Sequence, residues 1–233
     1  MRGVVFTAWL VLASGCACSQ RAPRPQPPAP VASRHVIEFP EREPPTLTWV
    51  RLPAGSFAMG RADVPRAEPV RQVEVFAFDM LKTEVTQGQY AGCTLAECGM
   101  PTYQWHPERT PDLPATGIDW FSARAFCGFV KARLCTEAEW EYAARSATRG
   151  WTYPWGDGAP DCAANPRAVL ETCHCQGACA PCSRPTGNSL QGVCDLVGNV
   201  AEWVEDCLGG YAGAPSTSYP ARVDACSREL EGA

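Results

Sequence analysis

The sequence predicts an α+β fold with little regular secondary structure, and three observations along its 233 residues carry that prediction. Two early stretches alternate apolar and polar residues as half-buried strands do. Three segments with helix start signals follow them. Beyond Ser146 the periodicity fades into a stretch rich in Gly, Pro, Cys and turn residues. Strands and helices in separate runs, rather than in alternation, are the signature of an α+β domain.

The strand signals are "LTWVRLPAGSFAMG", broken by a turn at Pro53-Ala54-Gly55, and "VRQVEVFAFDM". Together they predict a small antiparallel sheet. Thr86 with Gln89, and Thr136 with Glu139, are capping boxes, in which each side chain satisfies a backbone N–H that the first helical turn leaves free. Asp119 caps a third helix, "DWFSARAFCGFVKA", whose Trp120, Ala123, Cys127 and Val130 share one face and predict its buried stripe. The later stretch from Gly150 to Gly192 is too irregular to be held by hydrogen-bond ladders, so cross-links or a bound ion are expected to fix it.

Composition narrows the function. The formal charge is -5, and Lys82 and Lys131 are the only lysines, so a phosphate-binding surface and a nucleic-acid partner are not expected. Fourteen cysteines are heavy usage. The N-terminus, "MRGVVFTAWLVLASGCACS", has a basic residue, an apolar run too short to span a bilayer, and small residues before Cys16, as a secretory signal does. Its Ala13-Ser14-Gly15-Cys16 ending resembles a bacterial lipobox with the usual leucine displaced to Leu12, which makes Cys16 the expected lipidation site. A plain secreted form and an uncleaved anchor are the alternatives. Each leads to an oxidising compartment, periplasmic, outer-membrane or extracellular, where cysteines pair. Residues 1–18 are thus read as signal, 19–45 as a tether extended by eight prolines, and 46–233 as the folded domain.

Within that domain "RLPAGSFAMG", "KTEVTQGQY", "DWFSARAFC", "ARLCTEAEWEYAAR", "YPWGD" and "GVCDLVGNVAEWVED" stand in order. This set resembles the formylglycine-generating enzyme, or sulfatase-modifying factor, family. The resemblance implies an α+β fold related to C-type lectins, stabilised by calcium. Active members use oxygen and copper to oxidise a sulfatase cysteine to formylglycine, and others bind ligands or do different oxidative chemistry, so fold does not give function.

In active members two copper-binding cysteines lie just after a strand of the type "RVLRGGSW". This sequence reads "DACSRELEGA" there. The resemblance then implies that the C-terminal catalytic strands are missing, that copper enters only if that segment exists, and that the chain as written is a non-catalytic binding or structural module for an unidentified protein or peptide. The alternative is the formylglycine-generating oxidoreductase with its catalytic segment lost from this reading.

The runner-up site is "CHCQGACAPC", Cys173 to Cys182, whose thiols and His174 have spacings that zinc, a redox pair or disulfides would all fit; export favours disulfides. Proximity suggests Cys93 with Cys98, Cys127 with Cys135, and Cys207 with Cys226. His106 reads as a surface residue, and Glu139 is sufficiently explained as a cap. No serine sits in a nucleophile elbow.

Calcium prefers six to eight oxygens, many of them carbonyls. Carried over from the family, one site is formed by the carbonyls of Val197, Gly198 and Val200 with the side chain of Glu202. A second falls on Asn165 and Pro166. Ala201 stands where the family usually has tryptophan, a departure next to the first site. Asn199 is read as a turn residue closing on its own backbone.

Overall fold

The computed structural model describes residues 44–65, 67–93, 95–162, 166–170, 175 and 177–207, all within one compact unit, Pro40–Ala221. The signal, the tether and Cys16 lie outside the described residues, as do Asn165, Cys173, His174 and Cys226.

The alternating stretches form four short strands: β1 (Trp49–Leu52), β2 (Gly55–Met59), β3 (Arg71–Val75) and β4 (Phe78–Leu81). They do not make the single sheet expected. β1 pairs with β4, Trp49 opposite Leu81, and β2 pairs with β3, Gly55 opposite Val75, as two separate antiparallel ladders nested one inside the other. The Pro53-Ala54 corner causes the split, because proline has no N–H to donate to a ladder. The inward residues Leu52, Phe57, Met59, Val73, Val75 and Met80 meet Ala138, Tyr142 and Ala143 in the main core, with Val193 and Leu196 closing it from the later loop.

Among the described residues four α-helices follow: α1 (Gln87–Tyr90), α2 (Leu95–Cys98), α3 (Trp120–Phe129) and α4 (Glu137–Ala144). Both capping boxes are present, Thr86 with Gln89 and Thr136 with Glu139, and Asp119 Oδ1 accepts from Ser122 N at 2.8 Å. α2 carried no periodic signal because one turn is too short for one. The stripe expected on α3 is rotated. Phe126 is its buried residue, packed with Tyr90, Cys93 and Cys98 in a second cluster, while Trp120, Ala123 and Cys127 are half-buried. Tyr90 stacks on Phe126 at 5.5 Å, and that contact sets the rotation.

α4 anchors the middle of the fold. Glu139, 3 % exposed, receives Arg133 through both guanidinium nitrogens, at 2.6 and 2.7 Å, and closes its own cap by accepting from Thr136 N at 2.9 Å. A buried carboxylate is tolerable when its oxygens are so engaged. Among the described residues no helix is long and apolar enough to cross a membrane.

Candidate functional site

The segment from Cys194 to Asp206 is fixed at three places along its backbone. Cys194 N donates to Lys82 O at 2.8 Å, just past β4. Asn199 N donates to Val169 O at 2.8 Å, beside a parallel bridge between Val169 and Gly198. Glu205 N donates to Cys135 O at 2.8 Å, immediately before α4. Between these anchors the chain turns sharply, with Asp195 (φ 55), Gly198 (φ 93) and Asn199 (φ 59) in left-handed conformation. Glycine is required at 198 on two counts: its φ, and a Val169 carbonyl oxygen so close that any Cβ would collide with it.

Three tryptophans then hold the segment onto the helices. Trp120 Nε1 donates to Val204 O at 2.8 Å, Trp203 Nε1 donates to Ile118 O at 2.8 Å, and Trp140 Nε1 donates to Glu202 Oε2. Asp206 Oδ2 accepts from Glu137 N at 2.6 Å, adding a carboxylate to the start of α4.

The turn gathers negative charge. Glu84, on the connection between β4 and α1, is 8 % exposed, and Asn199 Nδ2 donates to its Oε1 at 3.0 Å. Its Oε2 is buried without a hydrogen-bond partner. Burial, reinforced by the nearby charges of Asp195 and Glu202, pushes the Glu84 carboxyl up to about 8. Glu202 is also raised, to about 7, first by desolvation of its carboxyl and then by Asp195, against the lowering bond from Trp140. Glu202 as a whole is exposed, so the water that reaches it softens the size of that shift without changing its direction.

An orphaned buried carboxylate oxygen beside two further acids is the pattern a bound cation resolves. Among the described residues no three His, Cys, Asp or Glu side chains converge as a metal cage, so an ion here would take most of its oxygens from the backbone. None of the described hydrogen bonds ends on the carbonyl of Gly198 or Val200. Glu202 has one oxygen engaged by Trp140 and a second to offer. That donor set, all oxygen and rich in carbonyls, fits calcium. Of the second expected site, Pro166 is half-buried and Asn165 lies outside the described residues.

Glu84 and Asp195 join the site in the folded chain, beyond the residues expected from the sequence. Glu84 was hidden inside "KTEVTQGQY", although a carboxylate between Thr83 and Val85, in a segment about to enter the core, was a usable signal. Asn199 does not close on its own backbone. Its Oδ1 accepts from Cys179 N at 2.9 Å and its Nδ2 donates to Cys179 O at 3.2 Å as well as to Glu84.

Cys93 and Cys98 are bonded, with Cα atoms 5.8 Å apart. Cys175 pairs with Cys179, and Cys182 with Cys194. Cys207 is disulfide-bonded, and Cys226 lies outside the described residues. The expected Cys127–Cys135 bridge is not formed; both are free thiols. Other bonds fix the path between them: Ala132 N to Cys127 O at 2.7 Å, the Arg133–Glu139 pair, and the Glu205 bond to Cys135 O. Closeness in sequence does not bring two sulfurs into the narrow geometry of a bridge. Burial pushes the Cys127 thiol up to about 11 and the Cys135 thiol up to about 12, so both are neutral.

Comparison with known proteins places this arrangement. The family model described as the sulfatase-modifying factor enzyme 1-like domain matches residues 35–228. The formylglycine-generating enzyme of Streptomyces coelicolor is 28% identical over 248 residues, covering 80% of this chain and 78% of its own. The inactive C-alpha-formylglycine-generating enzyme 2 of Bos taurus is 36% identical over 98 residues, covering 40% of this chain and 32% of its own. Among solved structures, PvdO from Pseudomonas aeruginosa superposes with a TM-score of 0.59 at 26% identity, covering 76% of this chain and 80% of that one.

Proposed function

The chain belongs to the sulfatase-modifying factor enzyme 1-like domain family, and from that premise we propose that it is an exported, calcium-stabilised binding or structural module of the family. The turn carries this reading: Glu84, Asp195 and Glu202 crowd one tight bend, with Glu84 Oε2 buried and unpartnered. A calcium ion held by the carbonyls of Val197, Gly198 and Val200 with Glu202 offsets that charge. It fixes the strap from Glu202 to Asp206 onto α3 and α4. The disulfides support export, since such bridges persist in oxidising compartments. The anchor is a lipid on Cys16, with the membrane as the partner on that side and a protein or peptide as the ligand of the domain.

The non-catalytic part of the reading is supported by the match to the inactive C-alpha-formylglycine-generating enzyme 2 of Bos taurus, 36% identical over 98 residues. Copper(I) chemistry on a sulfatase cysteine requires thiolate ligands held together. Cys127 and Cys135 are the free cysteines among the described residues, and no group of three His, Cys, Asp or Glu side chains gathers there. The second reading, the oxygen-dependent formylglycine-generating oxidoreductase, is favoured by one observation, the match to the Streptomyces coelicolor enzyme across most of both chains. On that reading copper supplies the oxygen activation, and what the described residues contribute is the calcium-held scaffold.

One assay separates the two. The purified chain is incubated with a sulfatase-derived cysteine peptide, copper and oxygen, and formylglycine is read by mass. The module predicts an unchanged peptide, and copper-dependent conversion would overturn it in favour of the oxidoreductase.

A further inference from the structure

The two side chains that shape the acidic turn are held by the cysteine-rich loop. Cys179 presents both its N–H and its carbonyl to the Asn199 amide, at 2.9 and 3.2 Å. That two-point contact fixes which way the amide faces and leaves its remaining hydrogen for Glu84 Oε1, at 3.0 Å. The loop therefore decides which Glu84 oxygen stays open. Cys182 N donates to Asp195 Oδ2 at 2.5 Å, and the disulfide partner of Cys182 is Cys194, the residue before Asp195. Cys175, bonded to Cys179 with Cα atoms 5.7 Å apart, closes a small ring around the residue that grips Asn199. These three contacts thus each end on a disulfide-bonded cysteine.

We propose that the segment from Cys175 to Cys182 is a redox-responsive clamp on the cation site, holding Asn199 and Asp195 in place while its disulfides are formed and weakening calcium binding when they are reduced. The proposal rests on the calcium reading of the turn and adds its regulation. The chemistry is ordinary exchange. A dithiol reductant attacks one sulfur, forms a mixed disulfide and closes on itself, so the reductant is oxidised to its disulfide. Two electrons and two protons reach the cysteine pair as two thiols. With the ring open, Cys179 loses the constraint that aligns its N–H and carbonyl, and the Asn199 amide is free to turn. With Cys182 released from Cys194, Asp195 loses the covalent tie that keeps its hydrogen-bond donor beside it. Binding is coupled in both directions: if the disulfides raise calcium affinity, calcium makes those disulfides harder to reduce by the same factor.

The test is calorimetric titration of calcium into the full chain, wild type against the double variant Cys175→Ser/Cys179→Ser, with Cys93→Ser/Cys98→Ser as the control that removes a disulfide elsewhere. The expected result is about a tenfold loss of affinity in the loop variant, the scale of one hydrogen bond to a charged group, and no change in the control. Equal affinity in the loop variant and wild type overturns the clamp and leaves the calcium reading standing. Absence of binding in the wild type overturns both. A redox-equilibrium titration of the wild-type chain against a dithiol/disulfide buffer covers a loop variant that fails to fold, with alkylation and mass reporting each disulfide. Calcium should shift the reduction equilibrium of Cys175–Cys179 and Cys182–Cys194 about tenfold toward the disulfide and leave Cys93–Cys98 unchanged. Identical equilibria with and without calcium, or an equal shift of all three, overturn the clamp.

Discussion

Replacing Glu84 with glutamine keeps the size of the side chain and the acceptor for Asn199 Nδ2 but removes the charge. In the folded chain the carboxyl sits at about 8 against an ordinary value of 4.5. A folded value above the unfolded one means that stability is fully present below about pH 4.5 and is lost as pH rises toward about 8. At about pH 7 the unfolded carboxyl is ionised and the folded one resists ionisation, which at about 1.4 kcal/mol per pH unit costs roughly 3 kcal/mol. Asp195 and Glu202 share that cost, so about 2 to 3 kcal/mol is recoverable by the single change. For a domain of this size that corresponds to about 4 to 10 °C in Tm. The assay is thermal unfolding in excess chelator from about pH 5 to pH 8, repeated in millimolar calcium. Wild type should lose stability with rising pH in chelator while Glu84→Gln stays level, and calcium should raise wild type more than the variant. A wild-type Tm that climbs with pH in chelator, or a Glu84→Gln variant no more stable than wild type at about pH 7.5, would rule out a buried, destabilising Glu84 carboxyl.

Three further outcomes are expected. Gly198→Ala places a Cβ against the Val169 carbonyl at a left-handed φ, so it should destabilise by about 3 kcal/mol or more in a denaturant titration. Thr136→Ala removes one half of the α4 capping box and frees the Glu139 N–H, costing about 1 to 2 kcal/mol in the same titration. Native alkylation at about pH 8 should leave Cys127 and Cys135 unmodified and label both after denaturation, because pKa values near 11 and 12 leave about a thousandth or less of either as thiolate; rapid native labelling would contradict that protonation.

How far the sequence could be read depended on the range of each signal. The strands and the capped helices were legible because alternation and capping are local: Thr86, Asp119 and Thr136 each bond within their own helical turn. The pairing of the strands was not, since nothing in the alternation tells β4 to choose β1 rather than β3. The rotation of α3 depended on Tyr90 meeting Phe126, a contact between separate elements. At the turn, Gly198 and Asn199 were visible as punctuation and Glu202 through resemblance. Glu84 comes from a motif 115 residues away from Asn199, and only the tertiary bond between them reveals it. The cysteines divide in the same way. Spacing suggests Cys127 with Cys135, and both remain free thiols.

Equilibrium dialysis of the full chain against calcium decides whether the bend from Val197 to Glu202 holds the ion. A bound ion is expected, lost or strongly weakened in Glu202→Ala and retained in Glu137→Ala. An ion that binds equally well without Glu202, or a wild-type chain that binds none, would contradict it.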